Sequence, residues 1–408
     1  MLLYMGDVSD PRVKNRSTHK LLDVIVISVL GTLCGANSFY DLVAFAEAKE
    51  KFLRKFLELP GGIPSHDTFL RVLSIINPTE LEICFLNWMD DLRKKVKEDV
   101  LCLDGKVSRG TIKSELGQFK NRLSTVSVYS TETQLVLGQL KSSGSGLSEV
   151  KSAIDLLDLL TIKDQIIVCD AGIGSSSVAS KVIEKKGNYL FPIKKNSKMF
   201  YSALDDLFTT LNKNKSLKGK AATAVIQENH HGRKEKRTLR ILKLKDCPEN
   251  LNFKNTGEEY FKKALVIGEI VYRSVEKETR PFIAISNKKN GTLKYQRRDQ
   301  VTNAKETRIK EEKRYFITSL DRSPAELASI IRKQWAIENQ LHWILDVCFE
   351  EDDNKTRSLI AANNLSTMRK IAFNIIKSTP SKSSIKGRMK KAGWDDNYLE
   401  ELITQNSK

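Results

Sequence analysis

Cysteine pairs, long apolar runs and repeats are all missing from this 408-residue chain, and each absence excludes something. Six cysteines (Cys34, Cys84, Cys102, Cys169, Cys247 and Cys348) are scattered without a Cys-x-x-Cys pair. Most sit in apolar stretches, which predicts buried reduced thiols rather than disulfides or a zinc site. The longest apolar run, Val24 to about Ala36, falls short of the ~20 residues that span a bilayer. The first ten residues contain Asp7 and Asp10 and no basic region, so no signal peptide is expected there. No internal repeat or low-complexity tract is apparent, and the chain reads as cytosolic. What is abundant is positive charge. Lys and Arg number 68 against 50 Asp and Glu, a net +18. With 40% hydrophobic and 29% charged residues, that is a soluble globular composition suited to a polyanionic partner, of which nucleic acid is the commonest.

The pattern changes several times along the chain. Residues 1–98 read as a helical domain, with apolar residues at helical spacing over Leu21 to Leu33, Tyr40 to Leu57 and Leu81 to Val96. Pro60-Gly61-Gly62 and Asn77-Pro78 break that pattern. Ser65 is the expected N-cap of a helix bearing His66, Thr68 and Arg71. It follows a short turn, as a DNA-reading helix-turn-helix would, although ordinary helical packing gives the same pattern. Residues 99–199 read as α/β, with strands over Asp99 to Leu103, Leu123 to Tyr129, Gln134 to Leu140, Gln165 to Cys169 and Asn188 to Ile193. Helices fall over Leu147 to Leu160 and Ser176 to Lys186. Residues 200–322 read as a β-rich insertion in which the helical signal fades. A helical pattern resumes over residues 323–378, from Ala325 to about Phe349 and from Asn364 to Lys377. Residues 379–408 read as a basic tail.

Two acids follow apolar strands: Asp104 after Val100-Leu101-Cys102-Leu103, and Asp170 after Ile166-Ile167-Val168-Cys169. Ligands of α/β sheets bind beyond the carboxyl ends of strands. A lone Asp there is most often a turn or cap, but two with matching lead-ins predict a site. Grouped carboxylates repel, and a divalent metal relieves that repulsion. In the segment Trp335 to Trp343, helical spacing puts Trp335, Ile337, Leu341, Ile344 and Leu345 on a buried side. Glu338, His342 and Asp346 share another side at i, i+4 and i+8. A solvated face with incidental pairing is the competing reading of that stripe.

An ordered set of motifs carries a resemblance. Leu103-Asp104-Gly105-Lys106, Ser108-Arg109-Gly110, Leu137-Gly138-Gln139, Asp170-Ala171 and Trp335-Ala336-Ile337-Glu338-Asn339-Gln340-Leu341-His342-Trp343 occur in that order. With Leu345 to Asp352, the set resembles the H-repeat-associated insertion-sequence transposases, a DDE-type family with an RNase-H-like core. Asp10-Pro11-Arg12, Gly61 to Phe69 and Trp88 resemble the domain that accompanies that core. The match runs from about residue 9 to 377. It departs from the family pattern at Gln334, near the Trp of the Glu-bearing helix, at Gly172-Ile173, at Ser124 and at Leu345.

The resemblance implies a mixed-sheet RNase-H-like core with an N-terminal helical domain and a β-rich insertion before the Glu-bearing helix. It implies Asp104, Asp170 and Glu338 as the catalytic and metal-binding triad, holding two Mg²⁺ or Mn²⁺ ions. It also implies a bacterial enzyme that binds the terminal inverted repeats of its element, cleaves DNA and joins it to target DNA. Mechanism leads us to expect a homodimer on DNA, in the cytoplasm and associated with the nucleoid. The expected DNA contacts are Lys106, Arg109, Lys194 (with Asn196), Arg233 (in His230-His231-Gly232-Arg233), Arg332, Arg357, Arg369 and Lys370. The last three lie in the stretch Asn354 to Trp394, which has ten bases and no acid and reads as a DNA-gripping flank. The alternatives are a metal-dependent nuclease of the same fold and a degenerate copy that only binds DNA.

Overall fold

The computed structural model describes residues 1–13, 17–93, 98–111, 113–115, 118–120, 123–142, 146–195, 197–211, 219–230, 233–247, 261–277, 282–286, 293–297 and 307–404. They form two compact units. The first comprises Met1–Phe191, Phe261–Lys263 and Ile330–Lys408; the second comprises Pro192–Tyr260 and Ala264–Ser329.

The first unit opens with helices α1 (Leu2–Met5), α2 (Leu21–Leu33), α3 (Phe39–Ala48), α4 (Glu50–Leu53), α5 (His66–Leu73) and α6 (Pro78–Arg93). Every residue of α2 except Leu22 is buried, as befits a helix that is apolar all round. Its one buried acid, Asp23, accepts a hydrogen bond from the Leu59 amide at 2.9 Å. The Ser38 hydroxyl caps α3 and shares a capping box with Asp41. Ser65 caps α5 as the sequence predicts. The expected helix over Tyr40 to Leu57 is divided in two at Lys49, whose backbone leaves the helical region.

The core follows: β1 (Val100–Ser108), the short hairpin β2 (Lys113–Glu115) and β3 (Gln118–Lys120), β4 (Leu123–Ser130), β5 (Val136–Ser142), α7 (Gly146–Leu159), β6 (Ile166–Cys169), α8 (Ser176–Glu184) and β7 (Asn188–Ile193). In the first unit the sheet order is β5-β4-β1-β6-β7. β4 runs antiparallel to β1 and β5, while β1, β6 and β7 run parallel. This is the mixed RNase-H-like arrangement. β1 is longer than expected: its parallel pairing with β6 covers Val100 to Leu103, but its antiparallel pairing with β4 continues to Ser108. Asp104 therefore sits within the strand, at the point where one neighbour stops.

The second unit begins with a helix the sequence reading lacked, α9 (Lys198–Thr210). Its buried Phe200, Leu204, Leu207 and Phe208 are helically spaced, so the signal was present but short. Strands β8 (Ala222–His230), β9 (Arg233–Lys243) and β10 (Val266–Lys277) follow, then the pair β11 (Phe282–Ser286) and β12 (Leu293–Arg297), and finally β13 (Thr307–Thr318). Within this unit the order β13-β10-β9-β8 is antiparallel throughout. The insertion's sheet holds a buried pair, with Arg240 Nε donating to fully buried Glu269 at 2.9 Å.

Helix α10 (Pro324–Lys333) carries the chain back to the first unit. A turn at Gln334-Trp335 leads into a π-helical segment, Ile337–His342, and then α11 (Trp343–Val347). Helix α12 (Leu359–Ser378) is interior over Ala361 to Ile376. Its buried amide groups tie it to neighbouring backbone, although Asn364 Oδ1 itself meets no donor. Asn364 donates to the Leu73 and Ile76 carbonyls, and Asn374 pairs with both backbone groups of Val136. Residues 379–408 do not form a tail over their described part. They hold α13 (Ile385–Trp394) and α14 (Asp396–Thr404), with Arg388 Nε donating to the Tyr398 hydroxyl. Among the described residues, no helix is long and apolar enough to cross a membrane.

Candidate active site

Two backbone turns orient the two aspartates. Asp104 Oδ1 accepts from the amide of Gly105 at 2.9 Å, and Asp170 Oδ1 accepts from the amides of Gly172 and Ile173, both at 3.0 Å. Among the described residues no donor reaches Asp170 Oδ2. The Asp104 carboxyl is pushed up to about 7, first by burial and then by the negative charges of Asp170, Glu338 and Glu149. That common electrostatic neighbourhood joins the three expected acids and adds a fourth.

Glu149, in the first turn of α7, was missed in the sequence. It lies over Gly105, where an added Cβ would sit 3.4 Å from its carboxyl group. The signal is faint: an acid just after a strand, recognisable only once β1 and α7 are adjacent.

Three contacts place Glu338. Gln334 Nε2 donates to the Cys169 carbonyl at 2.6 Å, fixing the turn before the π segment to the end of β6. Cys102 Sγ donates to the Lys333 carbonyl at 3.1 Å, and the Tyr129 hydroxyl of β4 donates to Gln340 Oε1 at 2.9 Å. Ile337 and Leu341 are buried beneath, while Glu338 itself is exposed. The π turn has i→i+5 bonding and adds a residue to the helix, which breaks the expected stripe. His342 turns inward, with Nδ1 3.6 Å from Asp104 Oδ2, and burial pushes its imidazole down to about 4, so it is neutral there. Asp346 turns to Lys106. Trp335, expected on the buried side, is 47% exposed.

Several expected DNA contacts are committed elsewhere. Lys106 Nζ lies 2.6 Å from Asp346 and 3.5 Å from Asp352, with only 10% of its side chain exposed. Lys370 is 1% exposed, and its Nζ donates to Ser366 Oγ at 3.0 Å beside buried Glu351. Burial works against the Glu351 carboxylate, but Lys370, Arg369 and Lys106 hold it below its ordinary range. Arg369 is 4% exposed. Lys370 thus stands inside the protein and Arg369 faces a cavity rather than a surface flank, because α12 is buried from Ala361 to Ile376. By contrast Arg109, Arg332 and Arg357 are exposed in the first unit, and Lys194 is exposed in the second. Asn196, His231 and Gly232 lie outside the described residues, as do the side chains of His230 and Arg233.

The donor set of Asp104, Asp170, Glu338 and Glu149 is one of hard oxygens, and that chemistry fits a divalent cation. Among the described residues no group of three or more His, Cys, Asp or Glu converges closely enough to hold a metal ion.

Comparison with known proteins places the chain in a family. Residues 95–375 match the family described as "Transposase DDE domain", and residues 2–89 match its associated domain. The chain is similar to the H repeat-associated putative transposase YhhI of Escherichia coli K12, 30% identical over 406 residues, covering 99% of this chain and 97% of that protein. It is equally similar to YbfL of the same strain, with the same identity and coverage. Similarity to YncI of Escherichia coli O157:H7 is 29% over 408 residues, covering 100% of this chain and 95% of that one. Among solved structures, a piggyBac transposase synaptic complex with hairpin DNA matches at 11% identity and a TM-score of 0.38, covering 99% of this chain and 76% of that chain. That likeness is too loose to carry residue correspondences.

Proposed function

This chain belongs to the transposase DDE-domain family, and on that premise we propose that Asp104, Asp170 and Glu338 form the site at which it cleaves and joins DNA at the ends of a bacterial insertion element. The observation that carries the assignment is the Asp104 carboxyl, raised to about 7 by burial and by Asp170, Glu338 and Glu149. Burial and neighbouring negative charge disfavour the ionised form of this carboxyl, and a divalent cation at the site would relieve that. Two Mg²⁺ or Mn²⁺ ions, held by the three carboxylates, would supply an activated water or 3′-hydroxyl and stabilise the leaving oxygen.

The chain's own residues prepare that chemistry. The amides of Gly105, Gly172 and Ile173 fix one oxygen of each aspartate. Gln334, Cys102 and Tyr129 seat the segment bearing Glu338. Phosphoryl transfer needs positioning and electrostatics more than a protein nucleophile. Consistently, burial pushes the thiols of Cys102 and Cys34 up to about 12, and that of Cys169 upward as well. Exposed Arg109, Arg332 and Arg357 are the proposed phosphate contacts of the first unit, with Lys194 in the second, and the acting species is a homodimer on paired element ends.

The test is a cleavage and joining assay on DNA carrying the element's terminal inverted repeats. Wild type is expected to nick and join with Mg²⁺ or Mn²⁺, and Asp170→Asn to lose at least about 10³-fold, the scale for removing a group that stabilises transition-state charge. Equal activity of the two proteins overturns the assignment. Cutting without joining favours the nuclease, and no cutting by wild type favours a DNA-binding copy.

A further inference from the structure

The first unit contains a cavity of about 660 Å³ that shares none of its lining with the carboxylate site. Its wall is built from the start of α3, from α5, and from the loop 353–358 that leads into α12. Arg369 of α12 lines this cavity. It is 4% exposed, and Nε donates to the Phe349 carbonyl at 3.3 Å. Among the described residues no acid lies within ion-pair distance of its guanidinium, and its two Nη groups meet no acceptor. Glu351 and Glu350 act on it only from further off. A guanidinium buried without a close counter-ion is costly unless something anionic completes it. Lys355 and Arg357, both exposed, add two more positive charges to the same lining, against one exposed acid, Asp353.

The same lining also supplies a flat aromatic face. Tyr40 lines the cavity, is 67% exposed, and stacks on His66 with ring centroids 4.3 Å apart and planes 21° apart. A stacked ring backed by a second ring is a rigid platform for a base, and a buried arginine in the same cavity suits the phosphate attached to it.

We propose that this cavity binds an unpaired nucleotide of the DNA, with phosphate on Arg369, Lys355 and Arg357 and the base against Tyr40. The proposal rests on the reading of the protein as one that processes DNA, and it deepens that reading by giving the enzyme a second, metal-independent grip on a strand freed from pairing. Neutral apolar molecules would leave Arg369 uncompensated, and a duplex presents no open base face to Tyr40.

The experiment is fluorescence anisotropy on the full-length protein in EDTA, with a short labelled single strand and a hairpin-closed duplex of the same sequence. Wild type is expected to bind the single strand. Tyr40→Ala and Lys355→Ala, both at exposed positions, are each expected to weaken that binding about tenfold, the scale of one lost base stack or charged contact, while changing duplex affinity less than about twofold. Arg369→Met should weaken it further, with a thermal melt confirming that the variant is folded. Unchanged single-strand affinity in Tyr40→Ala and Lys355→Ala, equal weakening on both DNAs, or no single-strand binding by wild type would each overturn the proposal. The assay contains no metal and reads binding alone, so its failure leaves the carboxylate assignment standing, and failure of the cleavage test leaves this one standing.

Discussion

Two buried ionisable side chains decide how this protein responds to pH and to substitution. Glu82 on α6 is 2% exposed, and burial pushes its carboxyl up to about 7 despite hydrogen bonds from Asn363 and Gln139 and the more distant charges of Lys370 and Lys141. The folded state thus holds this proton more tightly than the unfolded chain, whose ordinary value is 4.5. Stability contributed by the protonated form is complete below that value and is lost as pH rises to about 7. Glu82→Gln keeps the acceptor for Asn363 and removes the charge. It should therefore match wild type in urea melts at pH 4 and exceed it by about 3 kcal/mol at pH 8; an equal gain at both pH values would contradict this. Lys106 is the second case. Lys106→Met leaves Asp346, Asp352 and buried Glu351 short of a cation, and about 3 kcal/mol of stability should be lost in the same assay. The sequence showed Lys106 beside Asp104 but not its partners, which lie some 240 positions along the chain. A base next to a catalytic acid looks like a DNA contact until the fold shows what neutralises it.

At the scale of elements, the most informative departure is the π-helical segment. Helical spacing alone groups Glu338, His342 and Asp346, and most of the apolar positions it marks are buried, but one extra residue in the turn sends the three polar side chains to three surroundings. Nothing in the spacing of apolar residues announces a π turn, because Ile337, Leu341 and Leu345 stay buried either way. The clamps on this segment are testable. Gln340→Leu removes the acceptor for Tyr129 and should lower cleavage rate at least about tenfold while moving the urea midpoint little; a loss of stability matching the loss of rate would make Gln340 merely structural. Gly110 offers another element-level test. A Cβ there would lie 2.4 Å from the Asn354 carbonyl oxygen and 2.6 Å from that of Asp352. These are backbone atoms of the loop after the Glu338 segment and cannot swing away. Gly110→Ala should cost about 2 kcal/mol, read by thermal melting, which gives the glycine of the Ser108-Arg109-Gly110 motif a packing reason. The strands of the core were legible because their apolar runs are short and bounded. Helix α9 was not, because a thirteen-residue amphipathic stretch sits among strand-like runs.

For the whole molecule, the mixed-sheet core could be read from order and spacing, whereas the distribution of charge could not. The net +18 is real, but part of its acid-free stretch is interior. Arg369 lines a cavity, Lys370 serves Glu351, and Arg388 serves Tyr398. Burial is a property of the assembled helices and leaves little trace in a local count of bases. The proposed triad of Asp104, Asp170 and Glu338 is marked in the sequence by strand ends and an ordered motif set, whereas Glu149 carries no such mark.

The central claim is that these carboxylates act as one metal site. The most direct measurement is Mn²⁺ binding followed by electron paramagnetic resonance, with wild type, Asp104→Asn, Asp170→Asn and Glu338→Gln each in the presence of uncleaved terminal DNA. The account predicts about two Mn²⁺ per wild-type chain, displaced by Mg²⁺, and loss of at least one ion in every variant. Wild-type binding retained by all three variants would contradict it.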